Sequence, residues 1–183
     1  MPQPQRILVA GIGNIFFGDD AFGCEVAQRL ARRAWPPEVV VRDFGIRGLD
    51  LAYALLDAYD FVILVDAVPR GRAPGTLYVI EPDVADEGAA QNAAASWNAH
   101  SLDPVNVLAL AKSYGAALKN ILLIGCEPSP ICEDCDTVSE LSDPVRAAVD
   151  DVVQFLSAAL PRLCQGEEID FSQWPVRLAQ SSY

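Results

Sequence analysis

The chain has a single histidine, His100, within the stretch NAHSLDP. Two acidic positions accompany it: Asp19 and Asp20 follow the turn GIGNIFFG, and Asp66 ends the apolar run FVILVD. Two carboxylates and one imidazole from separate loops supply three ligands for a divalent ion such as zinc or nickel, and leave positions open for water or substrate. One of Asp19 and Asp20, with Asp66 and His100, therefore makes the candidate metal-binding set. Asp103 and Pro104 read as the N-cap and first residue of a helix, which places His100 just outside a helix N-terminus. The partial positive charge there favours the neutral imidazole that a metal needs. Each residue also has a purely structural reading. A lone histidine is often a satisfied surface or core residue. Asp66 can cap a helix or accept loop hydrogen bonds, although burial penalises an unpartnered charge at the end of an apolar strand. One of the Asp19–Asp20 pair can cap the helix that follows, which leaves the other as the better ligand.

The surrounding pattern has to deliver these side chains to one place. RILVAGIGN reads as a buried strand entering a tight turn, and DDAFGCEVAQRLARR as a helix with Phe22, Val26 and Leu30 at helical spacing and the acidic pair at its head. EVVVRDF is a second strand, GLDLAYALLDA a second helix, and FVILVDAV a strand buried on both faces. PGTLYVIE turns at Pro74-Gly75 into another strand, a helix runs from Asp103-Pro104 to about Tyr114, and NILLIGCE is the last strand. The final helix starts at Asp143-Pro144 and carries Val145, Val149, Val152, Leu156 and Leu160 along one stripe. This alternation predicts an α/β fold, a three-layer αβα sandwich with a mostly parallel, mixed central sheet and ligands at the carboxyl ends of its strands. Residues 1–160 form one domain in this reading, and residues 161–183 a C-terminal tail able to pack through Phe171 and Trp174.

Composition narrows the partners. With 51% hydrophobic and 21% charged residues, the chain has the makeup of a folded globular protein and not of a disordered one. A net charge of -12 repels phosphate backbones and anionic lipid, which argues against nucleic acid and membrane partners and favours a basic protein or a metal cation. No apolar run approaches the roughly 20 residues needed to span a bilayer. Five cysteines, an odd number without an export signal, point to reduced thiols in the cytoplasm.

Two further motifs carry weaker chemistry. The GIGN turn lacks the third glycine of a dinucleotide fingerprint, since Phe16 stands in its place, and a tight strand-to-helix turn accounts for Gly11 and Gly13 equally well. Cys132 and Cys135, with Cys126 six residues before them, make either a redox pair, half of a zinc site completed by Cys24 or Cys164, or a polar loop with reducible thiols. Ser101 lies beside His100, but no GxSxG nucleophile elbow is present.

Taken in order, ILVAGIGNIFFGDD, DFGIRGLDL, VILVDAVPRGRAPGTLYVIE, AHSLDPVNVLALA and ILLIGCEP resemble the maturation endopeptidases of nickel-iron hydrogenases, over a span from about Arg6 to Leu160. The resemblance implies a cytoplasmic protease that removes a short C-terminal peptide from the hydrogenase large-subunit precursor once nickel is inserted. It also implies that the metal ligands fall on Asp20, Asp66 and His100. Nickel would arrive with the substrate as the recognition element, replaceable in vitro by zinc or cadmium. The chain departs from the family pattern at Ala21, where glycine is usual, and at Ile46-Arg47, where a small polar residue is usual. A non-proteolytic nickel-binding assembly protein for the same hydrogenase is the rival reading.

Overall fold

Five strands make one sheet in the order β2-β1-β3-β5-β4: β1 (Ile7–Ile12), β2 (Val39–Gly45), β3 (Phe61–Ala67), β4 (Leu77–Ile80) and β5 (Asn120–Cys126). Among the described residues four helices cover it: α1 (Phe22–Ala31), α2 (Gly48–Ala54), α3 (Pro104–Ser113) and α4 (Asp143–Cys164). The computed structural model describes residues 4–82, 103–130, 140–171 and 174. Strands β2, β1, β3 and β5 are parallel, and β4 pairs antiparallel with β5 at the edge. The short stretch between β3 and β4 lacks the dozen or so residues that a parallel crossover needs, which is why β4 reverses direction. The result is the expected three-layer sandwich with a mixed sheet.

Side chains alternate across each strand with a period of two. Ile7, Val9, Ile63, Val65 and Ile124 face a core built with α1 and α4. Leu8, Ala10, Val62, Leu64 and Leu123 face a second core under α2 and α3. Both faces are covered, so β1, β3 and β5 read as continuous apolar runs in the sequence.

Helix α1 lies unusually close to the sheet. A Cβ on Gly23 would sit 2.0 Å from the Val65 carbonyl oxygen and 2.3 Å from that of Ile12, and one on Gly11 would sit 2.2 Å from the Gly23 carbonyl oxygen. The start of α1 therefore rests on the backbones of β1 and β3, and the turn just ahead of it hangs over their carboxyl ends.

The last helix does not stop at Leu160. It passes through Pro161 to Cys164 because its apolar stripe continues: Leu163 and Cys164 are buried in the same core as Leu160. Beyond it, Phe171 and Trp174 are buried as expected, with Trp174 stacked on Phe155 at 4.1 Å between ring centroids. No helix among the described residues is long and apolar enough to cross a membrane.

Candidate active site

From β1 the chain crosses one face through α1 to reach β2, then returns over the other face through α2 to reach β3 on the opposite side of β1. The carboxyl ends of β1 and β3 are thus the switch point of the sheet, where an open α/β fold leaves a crevice. Asp66 stands there, next to last in β3 and opposite Gly125 of β5. Only 7% of it is exposed, and its Oδ1 accepts a hydrogen bond from the Ala67 N–H at 2.8 Å. Burial, with added repulsion from Asp20 and Asp103, outweighs that bond and pushes the Asp66 carboxyl up to about 8. Near neutral pH, then, Asp66 gives up its proton only reluctantly, and a cation beside it would remove that reluctance.

Asp20 comes from the 3-10 turn Gly18–Ala21 that precedes α1. It is exposed at the surface, yet the protein packed on its inner side raises its carboxyl above the ordinary value, against the lowering effect of the Asn14 N–H, which donates to Oδ2 at 2.9 Å. The turn is fixed by Gly13, at φ +139°, where a Cβ would meet the Asp20 carbonyl oxygen at 1.9 Å. Packing against α1 and against the acidic turn thus accounts for Gly11 and Gly13 without any phosphate to cradle.

Asp19 differs from the sequence expectation. Neither acid of the pair caps α1, whose N-cap is Ala21 with no side-chain bond. Asp19 is instead buried and reaches across the molecule: Oδ1 accepts from the Ser142 N–H at 2.7 Å, and Oδ2 from the Ser142 hydroxyl and the Ser129 N–H, both at 2.8 Å. Burial alone would raise its pKa, but these donors outweigh it and hold the carboxyl below its usual value. Asp19 braces the turn while Asp20 is left free to act.

Asp103 is the N-cap of α3, as the sequence predicts, and accepts from the Val105 N–H at 3.0 Å. Its charge is felt by Asp66, which puts the start of α3 at the same edge. His100 lies outside the described residues, as do Cys132 and Cys135. Among the described residues no group of three His, Cys, Asp or Glu side chains is placed to hold a metal.

The cysteines that are described do not form a zinc site. Cys24, Cys126 and Cys164 are buried free thiols. The Cys24 thiol meets the Gly13 carbonyl at the carboxyl end of β1, whereas Cys164 receives the Gln5 N–H at the amino end of that strand. A six-residue strand separates them by about 20 Å. Burial, then Asp43, then Asp20 and Asp66 raise the Cys24 pKa, so the thiol remains protonated beside the acidic pair.

Two carboxylates not anticipated from sequence complete the region. Asp43, near the end of β2, accepts from the Gln28 amide at 2.8 Å and the Gly45 N–H at 2.9 Å. It follows Arg42 in a half-buried edge strand, so it lacks the apolar-run signal that marks Asp66. Glu127, directly after β5, is buried and accepts from the N–H groups of Arg70 at 2.8 Å and Gly71 at 3.0 Å and from the Tyr78 hydroxyl. Burial opposes its ionisation, but these donors win and its pKa is lowered. Glu127 thereby pins the loop that leaves Asp66.

The fold is an α/β sandwich with two acidic side chains, Asp20 and Asp66, near the switch point of its sheet. Residues 24–159 match the family described as hydrogenase maturation protease. The hydrogenase expression/formation protein HupD of Bradyrhizobium diazoefficiens is 36% identical over 145 residues, covering 79% of this chain and 72% of its own. A hydrogenase 2 maturation peptidase from a Thaumarchaeota archaeon superposes with a TM-score of 0.61 at 34% identity, covering 86% of this chain and 99% of its own. The Escherichia coli hydrogenase maturating endopeptidase HybD gives a TM-score of 0.62 at 28% identity, with 86% and 93% covered. The chain belongs to the hydrogenase maturation proteases.

Proposed function

We propose that the chain removes a C-terminal peptide from the large-subunit precursor of a nickel-iron hydrogenase in the cytoplasm, and that nickel already seated in that precursor is what it recognises. One observation supports this reading: Asp66 is buried at the switch point, where the charge of Asp20 adds to the cost of ionising it. Such a pair is stabilised by a cation arriving from outside. Carboxylates bind nickel loosely compared with thiolates, so the enzyme engages the metal without stripping it from its substrate. Zinc or cadmium would replace it in vitro.

His100 is the third ligand in this reading. It precedes Asp103 by three residues, a span of at most about 10–11 Å of chain, which keeps it within reach of the edge where Asp103 acts on Asp66. Nickel so held supplies Lewis acidity beside the scissile bond. Of the chain's own groups, Asp20 and Asp66 orient the metal end of the precursor, and the carboxylate oxygen of either that is left off the metal takes a proton from the attacking water.

The test compares nickel-loaded with nickel-free precursor. Wild-type enzyme should cleave only the loaded form, and His100→Ala should cleave neither. Equal cleavage of both forms would remove nickel as the recognition element, and full activity of His100→Ala would remove the histidine from the site.

A further inference from the structure

Among the described residues, the large apolar side chains left in water gather on the first loop, the loop after β2, and α2 and α3. Among the described residues there are nine, and none belongs to α1 or α4. Three are consecutive: Ile15, Phe16 and Phe17 are 50%, 74% and 61% exposed. Ile46 is 58% exposed, and the remainder lie on or beside α2 and α3. Exposed apolar side chains gathered in this way mark an interaction site on a protein that is otherwise strongly charged.

The patch is tied to the carboxylate pair. Within the first loop, the Phe16 N–H donates to the Asn14 side-chain oxygen at 3.0 Å and the Phe17 N–H to the Asn14 carbonyl at 3.1 Å, while the Asn14 N–H donates to Asp20. The bonds that aim the Asp20 carboxylate therefore also hold the two phenyl rings out. This loop joins the next through the Gly13 N–H, which donates to the Gly45 carbonyl at 3.2 Å, one residue before Ile46. From there Leu49 and Tyr53 continue along the outer face of α2, and the Tyr53 ring stacks on Tyr114 of the neighbouring helix end at 5.8 Å. The result is an apolar track that starts beside Asp20 and runs down the α2 side.

We infer that this track docks the large-subunit precursor beside its cleavage site, through an apolar segment flanked by basic residues. The inference rests on the processing reading, and two features select this occupant. The track starts on the loop whose Asn14 N–H binds Asp20, so a segment presented to that carboxylate has Phe16 and Ile46 close at hand. The chain carries a net charge of -12, which draws in a basic partner and repels a second copy of itself. Affinity then comes from the apolar contact, and cleavage is reserved for the metal contact.

Nickel-free precursor separates the two contributions, because it can dock without engaging the carboxylates through the metal. Its dissociation constant should rise at least tenfold for Phe16→Ser and for Ile46→Ser, whereas Gln154→Ser, on the exposed side of α4, should match wild type. Unchanged binding by both apolar variants would overturn the docking inference, as would absence of any measurable affinity of wild type for either precursor form. Loss of wild-type self-association in the variants, with precursor binding intact, would assign the track to a second copy and likewise overturn it. If wild type binds, the variants weaken and yet loaded precursor is never cleaved, docking stands and the processing reading fails.

Discussion

The Asp19 carboxylate holds Ser142 by both its backbone N–H, at 2.7 Å, and its hydroxyl, at 2.8 Å, across 123 residues of sequence. The same carboxylate takes the Ser129 N–H. Replacing Asp19 by Asn leaves one oxygen and turns an amide towards donors. The expected loss is about 1–3 kcal/mol, and Asp19→Ala should lose more because buried N–H groups then have no acceptor. Thermal unfolding measures both, and an Asp19→Ala protein as stable as wild type would refute the brace.

Asp66→Asn should abolish processing and stabilise the metal-free fold. The folded-state pKa of Asp66, about 8, lies above its unfolded value near 3.8, so ionising it costs stability increasingly as pH rises between those values. Asparagine removes that cost. The melting temperature of the variant should exceed that of wild type by several degrees above pH 8, at about 2–4 °C per kcal/mol for a chain of this size. The gap should close towards pH 4. A gap independent of pH would contradict the assignment.

Glu127 has the opposite sign. Its carboxyl titrates below its unfolded value near 4.5, so its contribution is complete above that pH and disappears as pH falls through the folded value. Glu127→Gln should cost about 2–4 kcal/mol at pH 7, since an amide cannot accept from Arg70, Gly71 and Tyr78 together. Denaturation at pH 7 and again below pH 4 checks it, the difference shrinking in acid.

Gly23→Ala should be more damaging than its exposed counterparts elsewhere. The added methyl would meet two backbone carbonyls, which cannot rotate away as side chains do. An expected loss of about 3 kcal/mol or more should show as a large drop in melting temperature, while Gly71→Ala, with open space around it but φ at +75°, should cost only the roughly 1–2 kcal/mol of a left-handed alanine.

The sheet and its layers were legible because apolar runs such as FVILVD can only be strands buried on both faces, and alternation with amphipathic helices leaves few ways to wind them. Asp66 was legible for the same reason: a carboxylate that closes such a run must sit at a strand end. Asp103 was legible because the Asp-Pro pair states its own local geometry. Asp19 and Glu127 were not, since their roles depend on donors 110 and 123 residues away for Asp19 and on a loop 57 residues before Glu127. No local pattern encodes such partners. The end of α4 was misplaced because Pro161 reads as a stop, whereas Leu163 and Cys164 beyond it bury with the core.

Strand order has a consequence for how the chain is made. Among the described residues the edge strand β4 pairs with β5 alone, and β5 begins some forty residues after β4 ends. At about 5–20 residues per second a ribosome needs roughly 2–8 s to cover that interval, and for all of it the apolar Leu77–Ile80 segment is without its hydrogen-bonding neighbour. Translation thus leaves a lone, sticky strand on the nascent chain, and the protein should lean on chaperone cover during that window more than at any later moment in its synthesis.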